Sequence, residues 1–153
     1  MKKLNIFLIL ALVLGFLAFG PQGSAQAVGT VDNPNPSGQD SGDCYGGKLQ
    51  IGNAMVYVNG EKIEGCSAFL SKATSTPKAP GDLKSIGTAV LVTFSQDVIP
   101  AVTVCFPTGK APGVVFKVVG DPAYWIPVGS FEDGQGMTCA YSWGGGTYGY
   151  FGY

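Results

Sequence analysis

The sequence predicts an all-β domain, and three observations carry that prediction. Beyond Ala54, β-branched and aromatic residues alternate with polar or small ones in short runs. Gly, Pro and Asp clusters separate these runs at roughly 8–14 residues, the spacing of strands joined by turns. After the first 27 residues, no stretch carries a helical period. Together these point to one antiparallel β-sandwich of about seven or eight strands, immunoglobulin-like in its strand spacing.

Residues 1–27 read as a secretory signal. Lys2 and Lys3 supply the positive start, Leu4 to Phe19 an apolar run broken by Asn5 and Gly15, and Ala25-Gln26-Ala27 the small-x-small site. Cleavage is expected between Ala27 and Val28. The apolar run is shorter than the roughly 20 residues a spanning helix needs, and Gly20-Pro21 ends it, so no membrane span is expected after cleavage. The first cysteine, Cys44, lies too far downstream for a lipoprotein anchor. The expected location is secreted or cell-surface.

Residues 28–43 hold Pro, Asn, Ser, Gly and Asp with almost no apolar residue, and read as a flexible leader. The sandwich is expected over 44–153. Leu49 and Ile51 alternate with polar neighbours. The sharpest local signal is Asn59-Gly60 between Ala54-Met55-Val56-Tyr57-Val58 and Glu61-Lys62-Ile63-Glu64. It predicts a type I′ hairpin pairing Val58 with Glu61 and Val56 with Ile63. Residues 71–85, with two prolines, read as a long loop.

The later strands follow in dense order. Val90, Val92 and Phe94 alternate with Leu91 and Thr93, and Val102, Val104 and Phe106 share a face after Pro100. Val114, Phe116 and Val118 alternate with Val115 and Lys117. Tyr124 to Val128 carries Pro127 and suits a sheet edge. Met137–Trp143 and Thr147–Phe151 complete the set. Cys105 points away from Val102, Val104 and Phe106 if its strand is regular. Either that strand is covered on both faces, or a bulge near Pro107 re-aims it.

The four cysteines, Cys44, Cys66, Cys105 and Cys139, form an even set in an exported chain and imply two disulfides. Three connectivities exist for four cysteines. Cys44–Cys66 with Cys105–Cys139 is favoured because each pair falls within one half of the chain. Four thiolates around a metal is the competing reading, but no C-x-x-C spacing supports it. No cofactor is expected.

Composition narrows function further. The chain has no His and no Arg, and removal of residues 1–27 leaves seven Lys against ten carboxylates. The missing guanidinium fork and negative balance disfavour nucleic acid as a partner. Without imidazole, His-dependent nucleophilic sites and His metal ligands are absent.

FSQDVIPAVTVCFP from Phe94, then GVVFKVV, YWIPV, MTCAYSW and GTYGYFG, resemble a β-sandwich module of bacterial extracellular and cell-surface proteins. The likeness covers about residues 88–152. Tyr150-Phe151 stands where that module carries an aliphatic residue. The resemblance implies a sandwich and a Cys105–Cys139 link, and transfers no catalytic residue.

Glu61, Glu64, Asp121, Glu132 and Asp133 are the carboxylates a hydrolase would draw on. All lie in hairpin or turn contexts, where solubility explains them. The aromatic C-terminus is more pointed. Tyr141, Trp143, Tyr148, Tyr150, Phe151 and Tyr153 crowd into the last thirteen residues around Gly144-Gly145-Gly146. As a binding surface, Tyr141, Trp143, Tyr148, Tyr150 and Tyr153 would meet a glycan, another extracellular protein or a second copy. As structure, Tyr141 and Trp143 would complete the core beside Cys139, while Tyr148 and Tyr150 would cover an edge. The function expected is a noncatalytic extracellular module acting in structure, adhesion or glycan binding. The alternative is a small secreted hydrolase or hydrolase inhibitor using Glu132, Asp133 or an exposed loop.

Overall fold

The computed structural model describes residues 38–109 and 112–153. The expected signal and most of the expected leader lie outside them. The unit Asn33–Tyr153 holds every strand found among the described residues.

Among the described residues there are twelve strands and no α-helix: β1 Gln39–Asp43, β2 Lys48–Ile51, β3 Ala54–Asn59, β4 Ser67–Lys72, β5 Lys84–Ser85, β6 Val90–Phe94, β7 Ala101–Pro107, β8 Gly113–Val119, β9 Tyr124–Pro127, β10 Ser130–Glu132, β11 Met137–Trp143 and β12 Gly146–Gly152. One sheet runs β1-β4-β6-β12-β8-β9, with short β5 also on β12; the other runs β10-β11-β7-β3-β2. All pairings are antiparallel. No described helix is long and apolar enough to cross a membrane.

Alternation builds the core. Val56 and Val58 of β3, Val102, Val104 and Phe106 of β7 and Ala140 of β11 meet Leu70, Val90, Val92, Val115, Tyr148 and Tyr150 of the other sheet in one buried cluster. The two sheets are therefore the layers of a sandwich. Pro127 sits on the edge strand β9, as its missing N–H demands.

Both disulfides form in the favoured pairing. Cys44–Cys66 extends the β1–β4 ladder one step past Asp43↔Ser67, and the Cys44 N–H donates to the Cys66 carbonyl at 3.3 Å. Cys105–Cys139 joins directly opposed residues of β7 and β11, with Cα atoms 4.0 Å apart, and so lies within one sheet rather than between two.

Two local expectations are corrected. First, the Asn59-Gly60 hairpin does not form. Ala54–Tyr57 already pair with β2 on one edge, and Met55–Asn59 with β7 on the other, so no edge is left for Glu61–Glu64. Gly60 takes φ +125°, outside the region a type I′ turn needs, and the chain crosses to the other sheet. The tight turn is instead Gly52-Asn53, between Ile51 and Ala54, with Gly52 at φ +56°.

Second, the end of the expected leader is a strand. Gln39–Asp43 pair with Ser67–Ser71 through their backbones, and Asp40 Oδ2 accepts the Gln50 N–H at 2.7 Å. Backbone pairing beside a disulfide holds this polar segment without an apolar stripe.

Candidate functional site

The molecule's two outer faces differ. On the seven-stranded sheet, Phe116, Trp125 and Phe151 form a second buried cluster with Ala79, Leu83, Ala89 and Val118. The loop between β4 and β5 straps across it, and the Trp125 indole N–H donates to the Pro77 carbonyl at 3.1 Å. Gly149 makes room for this: a Cβ there would stand 2.8 Å from Phe151 and 3.0 Å from Trp125.

The five-stranded sheet turns a different surface outward. In β11 the inward residues Thr138 and Ala140 are buried, while Tyr141 and Trp143 are 68% and 69% exposed. Phe131 of β10 lies opposite Cys139, so Tyr141 is its diagonal neighbour. Their rings stack with centroids 4.8 Å apart and planes at 23°. Across β7, Thr103 stands opposite Tyr57 and Tyr141, and Cys105 opposite Met55 and Cys139. Asn59 Nδ2 donates to Thr103 Oγ1 at 2.8 Å, so the polar atoms beneath the rings are satisfied.

This arrangement answers the question over Cys105. The β7–β11 register runs unbroken from Ala101↔Trp143 to Pro107↔Met137, so there is no bulge. The strand is central and buried on both faces: Cys105 is 2% exposed on the outer side, Val104 0% on the inner.

The turn that carries Trp143 is fixed from three sides. Lys117 Nζ donates to the Trp143 carbonyl at 2.7 Å, Gly144 N–H donates to the Pro100 carbonyl at 2.8 Å, and the Tyr148 hydroxyl donates to the Gly144 carbonyl at 3.1 Å. The backbone that presents the indole is thereby held in place before any partner arrives.

The expected surface residues divide. Tyr141 and Trp143 are on the open face rather than in the core. Tyr148 and Tyr150 are in the core, 0% and 1% exposed, rather than on a surface or covering an edge. The Tyr148 hydroxyl also lies 3.0 Å from Ser142 Oγ, and the Tyr150 hydroxyl 3.2 Å from Thr138 Oγ1, so both phenols bury with partners. Tyr153 is 93% exposed, but follows the end of β12 remote from the Trp143 turn. Phe131, which completes the aromatic surface, was missed because β10 is only three residues long and its turn-like surroundings mask it.

The carboxylates do not converge. Asp133 Oδ1 accepts the N–H groups of Gln135 at 2.7 Å and Met137 at 3.0 Å, shaping the β10–β11 turn. Among the described residues, no group of three or more Cys, Asp or Glu could hold a metal ion. A cleft of about 320 Å³ at one end of the sandwich has Lys72, Asn53 and Thr88 on an apolar floor and no carboxylate in its lining. A second, of about 300 Å³, lies beside Cys66 with Asp43 and Lys62. The second also has Ser67 in its lining.

No protein-family model, no curated protein and no solved structure matches this chain.

Proposed function

We propose that the chain is an exported, noncatalytic extracellular or cell-surface module that works through its open sheet face. In this reading residues 1–27 are removed as a signal, the mature protein begins at Val28, and the sandwich is an immunoglobulin-like module of a bacterial cell-surface type. Its role is structural, adhesive or glycan-binding. The observation that carries the proposal is the rigidly mounted aromatic group Phe131, Tyr141 and Trp143 on one outer face, where an antiparallel sheet facing water would ordinarily alternate to polar residues. Two disulfides fit an oxidising compartment.

The test is retention of the purified exported protein on insoluble polysaccharide, on purified cell wall and on immobilised cell-surface protein. Trp143→Ser and Tyr141→Ser should abolish retention with the far-UV circular dichroism unchanged. Equal retention by the variants, or none by the parent on any surface, overturns the reading. Intact mass of the exported material checks the Val28 start.

A further inference from the structure

The strap across the seven-stranded sheet is held as a ligand is held, not as a strand is held. Among the described residues, its two ends are fixed: the Ala73 N–H donates to the Ala89 carbonyl at 2.9 Å, and β5, Lys84–Ser85, pairs with β12. Between them the one backbone–backbone bond is internal, from the Leu83 N–H to the Pro80 carbonyl at 3.2 Å. The strap meets the body instead through the Trp125 indole N–H on the Pro77 carbonyl, and through Ala79 and Leu83 on the Phe116–Trp125–Phe151 cluster. That cluster is separate from the main core between the sheets.

The seated segment has the pattern of a proline-rich ligand. Pro77-Lys78-Ala79-Pro80 sets two prolines three apart. Pro77, Ala79 and Pro80 are half-buried, while Thr76 and Lys78 are exposed. Residues 75–79 form no helix, strand or turn. Thr76 and Ala79, each preceding a proline, are biased towards extended backbone. A polyproline II chain has no internal hydrogen bonds, so its carbonyls are free for an outside donor, and aromatic-lined grooves recognise such chains. Here the donor is the Trp125 indole, and its ring packs edge-on against Phe151, which packs the same way against Phe116.

We propose that this groove is a second binding site, for a Pro-x-x-Pro segment of another protein, and that the strap occupies it as a built-in competitor. The site lies on the opposite sheet from Tyr141 and Trp143, so it stands or falls independently of the open face. A separate protein, rather than a second copy, is the occupant. Of the ten prolines in this chain, only Pro77 and Pro80 are three apart, so a second copy could offer only its own strap. That strap is tied down at both ends, and tethering gives it an effective concentration in the mM range at its own groove, far above that of a neighbour's strap.

The test replaces residues 74–82 by a Gly/Ser segment of equal length in a Trp143→Phe background, which leaves Trp125 as the one tryptophan. The emptied groove should shift Trp125 emission to the red. A synthetic peptide of residues 73–83 should then bind saturably and move the emission back to the blue. The same peptide carrying Pro77→Ser and Pro80→Ser should bind at least about tenfold more weakly, and the parent with its strap in place should bind the intact peptide more weakly by a similar factor. Ala79→Asp, which sets a carboxylate against the rings, is a second way to lift the strap and should behave alike. Absence of peptide binding in both variants, or equal binding of the Ser peptide, overturns the proposal. Loss of the β circular dichroism in both variants does so too, since the strap is then part of the core. A parent that sediments as a dimer and is dissociated by the peptide makes the occupant a second copy and overturns the choice of a separate protein.

Discussion

Lys117 of β8 reaches across to the Trp143 carbonyl at 2.7 Å, so the exposed indole of one sheet is held by an ammonium of the other. Lys117 stands opposite Tyr148 in the β8–β12 register, on the core side, and its Nζ lies 5.3 Å from the centroid of that ring. Its stem occupies the sandwich margin while its head finds a carbonyl and an aromatic face.

Lys117→Met should keep the stem's packing and lose the charge-assisted bond. Because the site is only half-buried, the expected loss is about 1 kcal/mol rather than the upper range for charged hydrogen bonds. Urea unfolding should show a lowered midpoint with unchanged slope. Trp143 fluorescence anisotropy should fall as the turn loosens, whereas an inert Lys117 would leave it unmoved.

Tyr148 and Trp143 should respond in opposite ways to truncation. Tyr148→Ser empties a fully buried site and is expected to cost about 3–5 kcal/mol. Tyr148→Phe leaves the Gly144 carbonyl without its donor and the Ser142 hydroxyl without its partner, at about 1–3 kcal/mol. Trp143→Ser should stay within about 0.5 kcal/mol of the parent, because the ring is exposed. Thermal unfolding of the three variants ranks them, and a large loss at Trp143 would contradict its placement on the open face.

Gly149→Ala should dislodge the strap. The added methyl meets Phe151 at 2.8 Å and Trp125 at 3.0 Å, and overpacking of this kind costs about 1–3 kcal/mol. Limited proteolysis should cut the segment between β4 and β5 faster in the variant. Unchanged cleavage would mean that Phe151 and Trp125 can move aside freely.

Replacing Cys44 and Cys66 together by Ala, or Cys105 and Cys139 together, should cost roughly 3–4 kcal/mol per bridge in the chain-entropy account. Nonreducing peptide mapping of the parent should yield these two linked peptides and no free thiol. A peptide joining Cys44 to Cys139 would refute the pairing.

Strands with a plain apolar alternation were legible from sequence: Val90–Phe94 and Ala101–Pro107 appear with their valines inside, and Met137–Trp143 appears as a strand with its faces the other way round. The cysteine pairing was legible because each partner lies in the same half of the chain. Asn59-Gly60 misled because a turn signal is local, while the pairing edges of β3 are claimed by residues far away in sequence. The aromatic C-terminus misled for a different reason. Alternation tells which residues share a face, so Tyr141 with Trp143 and Tyr148 with Tyr150 were grouped correctly, but not which face looks inward. In β12 the glycines settle it: Gly149 admits rings on the outer side, while the two phenols find hydroxyl and carbonyl partners within. β1 carried no apolar signal at all, since its backbone and a neighbouring disulfide hold it.

The strap over Phe116, Trp125 and Phe151 takes three large rings out of the outer surface of the seven-stranded sheet. A sandwich with both outer faces bare can stack face on face without end, and the product is a growing fibre. Here the Phe116–Trp125–Phe151 patch of one flank is already covered by the chain's own Pro77-containing loop, so those rings are closed to a stacking neighbour. Lifting the strap, by proteolysis or by Gly149→Ala, would bare those rings, and the expected first visible sign is turbidity rather than loss of fold.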